Sequence, residues 1–344
     1  MVQRKKIGKA DLGRWLDIIA KKYELIGPTK DEEVHLFRPV SSSAELDLEY
    51  ANSLIPPKSL FFPQVEGLFA FRKRGEEIEL EEAKPLEKDR VVVGIRNCDV
   101  SSLSLLDRVF IDDLEDSYYR ERRDRTALIA LACPTPPRSS CFCTTFGIDP
   151  LSPEGSDILL TDVGDLYLVD VVTERGQELV TLGEDLFSAL TEAEEKELQP
   201  PPVDMPALDV AKLKEKLDTL WDDEYWDKLS LPCLGCGICT YVCPTCHCFD
   251  ISDVGSTSAG IRYRCWDSCM YGDFALMASG ENARPTRRER TRNRYFHKFS
   301  TFPSRYGTGY ACVGCARCLV HCPGGVEITE VISDILAKEA VSDG

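Results

Sequence analysis

Apolar positions near the start of the chain recur at helical spacing. In "KADLGRWLDIIAKKY", residues 9–23, Leu12, Trp15, Leu16 and Ile19 fall on one face, so a helix opens the chain. The pattern then shifts. "LIPPKSLFFPQVEGLFAF" begins at a pair of prolines, Pro56 and Pro57, and continues apolar, which predicts a turn feeding a buried strand. "DRVVVGIRNCD" and "TALIALACP" are short aliphatic or β-branched runs, each ending in a cysteine, and "DLYLVDVV" is a third strand candidate. Between the first two, "VSSLSLLDRVF" returns to helical spacing, and this alternation predicts an α/β domain. At "LQPPPVDMP" three consecutive prolines stop any helix and mark a boundary near residue 200. Beyond it, "LDVAKLKEKLDTLWDDEYWDKL" reads as one or two amphipathic helices.

Composition narrows the picture. A chain of 344 residues suits two or three domains, and 43% apolar with 29% charged residues is ordinary for a soluble protein. No apolar run approaches the roughly 18 residues that span a bilayer, and "MVQRKKIGKADLGRW" has no hydrophobic region of a secretion signal. The expected location is cytoplasmic, without membrane insertion. In a reducing compartment the 16 cysteines persist as metal ligands or reactive groups far more readily than as disulfides. A formal charge of -17, which bound thiolates would deepen, argues against nucleic acid as a partner.

Half of the cysteines fall in two matching cassettes. "CLGCGICTYVCP", residues 233–244, and "CVGCARCLVHCP", residues 312–323, both read C-x2-C-x2-C-x3-C-P. Three thiolates of such a loop reach three corners of one [4Fe-4S] cubane, while the fourth ligates the other cluster. On that rule Cys233, Cys236, Cys239 and Cys322 hold one cluster, and Cys312, Cys315, Cys318 and Cys243 hold the second. Zinc ribbons also use C-x2-C pairs but seldom three cysteines at this spacing. The expected fold class is therefore an α/β (α+β) N-terminal domain, 1–198, followed by a ferredoxin-like 2[4Fe-4S] domain, 226–335. A linker and amphipathic helix, 199–225, joins them. An insertion at 244–311 lengthens the second domain, and a tail occupies 336–344.

In the first domain, Cys98 and Cys133 end two predicted strands, and Cys141 and Cys143 follow in the loop "PTPPRSSCFCTTFG". If those strands are parallel neighbours, their ends share the sheet edge where α/β folds gather ligands, so a third [4Fe-4S] cluster is expected on these four thiols. Buried structural cysteines are the alternative. The insertion adds Cys246, Cys248, Cys265 and Cys269; the first two and Cys269 are candidates for a further site or for a wall of the first cluster, and spacing does not decide between these. His247 and His321 lie among cysteines, where a satisfied or solvent-facing ring is the expectation. In "ARPTRRERTRNRYFHKF", Arg284, Arg287, Arg288, Arg290, Arg292, Arg294 and Lys298 form a basic run, read as a solvated face or as a docking or screening patch, since anionic clusters and a second acidic subunit would both attract it. No G-x-G-x-x-G, Walker loop or hydrolase triad is present, so no catalytic residue is assigned.

Together with the cassettes, "CPTCHC", "RCWDSCM", "RPTRRERTRNRY", "PPKSLFFPQVEGLF", "GIRNCDVSSLSLLDRVF" and "CFCTTFG" identify a resemblance. The chain resembles the β subunits of cytoplasmic sulfhydrogenases, which are nickel-iron hydrogenases, and is similar to the A-type subunits of anaerobic sulfite reductases. The resemblance implies an iron-sulfur protein that relays electrons between a flavoprotein γ-like subunit handling NAD(P)H and a catalytic hydrogenase or reductase subunit. It also matches Cys98, Cys133, Cys141 and Cys143 to the family's first-domain cysteines. Cys265 departs from the pattern, standing where a basic residue is expected before "WDSC". Two other readings accompany this one: an electron-transfer partner of heterodisulfide reductase, and a reductase whose first-domain cysteines form its own substrate site.

Overall fold

The computed structural model describes residues 3–198, 203–205 and 207–338. The prolines of the predicted boundary and most of the tail lie outside the described residues. Two compact units are formed, the first from Met1–Pro57, Glu87–Leu208 and Val313–Ala316, the second from Lys58–Leu86, Asp209–Cys312 and Arg317–Gly344. In chain order the strands are β1 (Gln3–Gly8), β2 (Glu24–Asp31), β3 (Val34–Pro39), β4 (Val65–Arg74), β5 (Glu77–Glu82) and β6 (Arg90–Arg96), then β7 (Thr126–Leu131), β8 (Ile158–Asp162), β9 (Leu166–Val171), β10 (Ser188–Ala189), β11 (Phe249–Gly255) and β12 (Ala259–Trp266).

In the first unit eight strands make one sheet in the order β10-β1-β9-β8-β7-β6-β2-β3. Its centre, β2-β6-β7-β8, is parallel, and the strands at both ends are antiparallel. β6 and β7 are buried almost throughout, as expected of parallel strands covered on both faces, and this is why they read as unbroken aliphatic runs. The predicted first helix forms at Lys9–Lys22 and buries Leu12, Trp15, Leu16 and Ile19, with the Trp15 indole donating to the Leu179 carbonyl at 2.9 Å. The stretch after β6 is helical from Asn97 to Asp107. β6 and β7 pair in parallel, so Cys98 and Cys133 leave the sheet at the same edge.

The second unit contains an antiparallel sheet in the order β11-β12-β4-β5. Lys58–Leu86 belongs to it because β4 pairs with β12, a pairing locked by the buried ion pair of Glu66 with Arg264 at 2.6 Å. The apolar run around β4 predicts a buried strand; the strand forms, but it is mostly half-buried or exposed. Its apolar signal comes largely from Phe61 and Phe62, which are fully buried ahead of the strand, while β4 itself ends on Arg72, Lys73 and Arg74. The amphipathic stretch resolves into two short helices, Leu213–Asp218 and Tyr225–Ser230, which bury Leu213, Leu217 and Trp226.

The basic run departs from the sequence expectation. It forms a helix, Arg287–Phe296, started by a capping box in which Glu289 accepts from the Thr286 backbone and hydroxyl at 2.6 Å each. A π-helical turn, His297–Thr301, continues it. Arg292, Arg294 and Lys298 are buried along with Thr291, Tyr295 and Phe299, so the run is not a solvated face. Charge density alone does not reveal that the apolar partners Tyr295 and Phe299 share a face with Arg292 and Lys298 at helical spacing.

Candidate metal centres

In the first unit the edge where β6 and β7 end opens on a cavity lined by Cys98, Cys133, Cys141 and Cys143. Asn97 fixes the loop that carries the last two: its side-chain amide donates to the carbonyls of Asp149 at 3.1 Å and Ser152 at 2.8 Å. Arg96 is buried beside the thiols, donating to the Ala132 carbonyl at 3.1 Å, to the Tyr50 carbonyl and weakly to the Cys133 sulfur at 3.8 Å, while its Nε has no partner. Burial pushes the Cys133 thiol up, against the pull of Arg96, and burial with Cys133 and Cys141 nearby pushes Cys143 up to about 12. Such thiols become thiolates when a metal takes the charge. The same cavity is also lined by Cys315 and Gly314 of the second cassette, with the Gly314 carbonyl accepting from the Phe142 backbone at 3.0 Å. Spacing assigns Cys315 to the ferredoxin-type set alone and carries no signal of this second neighbourhood.

In the second unit Cys233, Cys236, Cys239 and Cys322 line one cavity with Met270, Arg294 and Tyr295. These are the three near cysteines of the first cassette and the last of the second. The loop that presents them needs left-handed backbone at Gly235 (φ 69°) and Gly237 (φ 76°). The second cassette repeats the shape at Gly314 (φ 59°) and Ala316 (φ 62°), although alanine adopts this conformation only at a cost. Main-chain amides aim at the sulfurs: Gly235 donates to Cys233 at 3.4 Å and Val326 to Cys322 at 3.3 Å. Burial pushes the Cys239 thiol up to about 11, with Arg294 pulling the other way. Among the described residues no three His, Cys, Asp or Glu side chains converge as a single-ion site does. The thiols ring a cavity instead, the arrangement that suits the separate corners of a cubane.

Residues 232–326 match the 4Fe-4S dicluster domain family. The chain is 32% identical over 317 residues to sulfhydrogenase 2 subunit beta of Pyrococcus furiosus, a match that covers 90% of this chain and 91% of the relative. The chain belongs to the sulfhydrogenase β-subunit family. No solved structure matches it.

Of the other expected cluster set, Cys243, Cys312 and Cys318 come near enough to Lys298 to interact with it electrostatically. Lys298 donates to the Cys243 sulfur at 3.2 Å, the Thr245 hydroxyl at 3.1 Å and the Ala311 carbonyl at 3.0 Å. A hydrogen bond from the Cys246 thiol, aided by Lys298 and Lys58, holds Cys243 well below the ordinary thiol value. Cys248 is likewise lowered, to about 7, by its hydrogen bond with Cys269. The extra cysteines therefore sit in two hydrogen-bonded pairs, Cys243 with Cys246 and Cys248 with Cys269. Cys265 lies on β12 opposite Asp250, with Asp250 and Asp267 as its charged neighbours. His247 is a satisfied ring, its Nδ1 3.0 Å from the Thr245 carbonyl, and it stacks edge-on against His297. Among the described residues no helix is long and apolar enough to cross a membrane.

Proposed function

We propose that this protein is an iron-sulfur subunit of a hydrogenase-type complex that passes electrons, one at a time, between a flavin-containing subunit using NAD(P)H and a catalytic subunit. The observation that carries the reading is the shared cavity of Cys233, Cys236, Cys239 and Cys322, which draws on both cassettes as an interlocked cluster pair requires. A second cubane falls to Cys312, Cys315, Cys318 and Cys243, and a third to Cys98, Cys133, Cys141 and Cys143. When bound, these clusters supply the one-electron carriers. The protein supplies ligands, amides and charges that set their potentials. Cys236 is exposed and flanked by exposed Leu234 and Ile238, which suits a surface where a partner exchanges electrons with the first centre.

The test is to purify the chain anaerobically and count iron and acid-labile sulfide. About twelve irons per chain support three clusters; about eight return the first-unit cysteines to a structural role. Steady reduction of sulfite or polysulfide by the isolated chain from an artificial donor would replace the relay with a reductase.

A further inference from the structure

Three cations lie buried in the second unit with no carboxylate against them. Arg294 is 5% exposed, Lys298 3% and Lys58 2%. Arg264 in the same unit shows the usual solution, a buried partner in Glu66. Arg294, Lys298 and Lys58 have none among the described residues. Lys58 donates to the Cys246 carbonyl at 2.6 Å and sits 4.1 Å over the Trp266 ring; Lys298 has only a sulfur, a hydroxyl and a carbonyl; the Nε of Arg294 has no partner. Burying a charge costs several kcal/mol unless an opposite charge compensates it; burial pulls Lys58 down to about 8, whereas nearby cysteines hold Arg294 and Lys298 charged against the same burial. An anion must therefore belong beside them.

The groups facing these cations are cysteine sulfurs. Arg294 lines the cavity of Cys233, Cys236, Cys239 and Cys322 and lies close enough to Cys318, a member of the other expected set, to pull on its thiol. Lys298, one helical turn further on, touches Cys243. We infer that Arg294 and Lys298 are counter-ions that raise the reduction potentials of the cluster pair, Arg294 acting on both clusters and Lys298 on one. This rests on the cluster reading above. A cubane with four thiolates carries about two negative charges when oxidised and about three when reduced. A fixed cation beside it favours the reduced form, and arginine keeps its charge at every working pH. One electron enters and no proton is needed for balance. The basic helix of the insertion is thus a positioning element for charge, with its face turned to the thiols.

The experiment is an EPR-monitored redox titration of the full chain and its variants, with iron counted on every sample. Arg294→Gln should lower both midpoint potentials of the pair, each by about tenfold in the reduction equilibrium, ~59 mV for one electron. Lys298→Gln should lower one of them by a similar amount and leave the other unmoved. Unchanged potentials in iron-replete Arg294→Gln would overturn the inference. Should that variant fail to hold iron, Arg294→Lys decides: an iron-replete protein near the parent potentials supports a role for charge, and equal iron loss means that shape rather than charge matters there. A parent chain that binds no iron would instead defeat the cluster reading itself.

Discussion

The thiol cavity of the first unit and that of the first cassette offer the same four ligands in different electrical surroundings. Beside Cys133 lies the buried Arg96, which donates to the carbonyls of Ala132 and Tyr50 and weakly to the Cys133 sulfur at 3.8 Å. Beside Cys239 and Cys318 stands Arg294, which acts on both thiols, and Lys298 adds a second charge, donating to Cys243 at 3.2 Å. Backbone differs too: the cassette sulfurs sit on a tight left-handed loop, whereas Cys141 and Cys143 hang on a loop held from outside by Asn97. Ligand identity alone does not set a centre's potential, and these two regions separate the contributions of charge and loop geometry from that of sulfur.

The largest effect that would test this contrast is ligand removal. Cys239→Ser should lose about four irons and lower the melting temperature of the holoprotein by ~10 °C or more, because thiolate ligation supplies folding free energy; calorimetry with an iron count checks it. Cys133→Ser should lose a similar number, about four, yet leave the cassette pair spectroscopically intact. If both variants lost all iron, the two centres would not be independent. A potentiometric titration of the parent protein should next find the first-unit centre as the last to reduce, below both members of the pair, as its single cation, shared between two carbonyls and one sulfur, requires. A first-unit centre that reduced first would break the comparison.

Smaller effects probe the backbone. A β-carbon on Gly314 would lie 2.4 Å from the Phe142 carbonyl oxygen, against main chain that cannot swing aside. Gly314→Ala should therefore cost ~1–3 kcal/mol in denaturant unfolding and disturb the first-unit centre, whose Cys141 and Cys143 flank Phe142. Ala316→Gly should do the reverse, gaining about 0.5–1 kcal/mol by relieving a left-handed alanine. A loss at Ala316→Gly would mean that the alanine methyl contributes packing worth more than the strain.

Much of the molecule is legible in its residues. The helix of Trp15, the parallel pair ending in Cys98 and Cys133, and the two cassettes all announce themselves, since buried parallel strands must be aliphatic and cubane loops must space their thiols closely. What stays hidden depends on partners distant in sequence. Nothing local in Lys58–Leu86 tells that β4 will find β12, almost two hundred residues on. Likewise the basic run looks solvated until Tyr295 and Phe299 turn its inner face toward cysteine. Cys315 is the clearest case, because its spacing names one set of neighbours while the fold adds another.

Chain order carries one more consequence. The polypeptide leaves the first unit at Pro57, returns at Glu87, leaves again at Leu208 and returns once more for Val313–Ala316. During synthesis the first unit thus lacks its last four residues, Cys315 among them, until more than nine-tenths of the chain has been made. The first unit is finished only after most of the second has been made, and no single cut releases either one whole. A nascent chain that stops short of Val313 therefore carries Cys98, Cys133, Cys141 and Cys143 in a cavity whose wall is still open, because Gly314 and Cys315 are yet to be added.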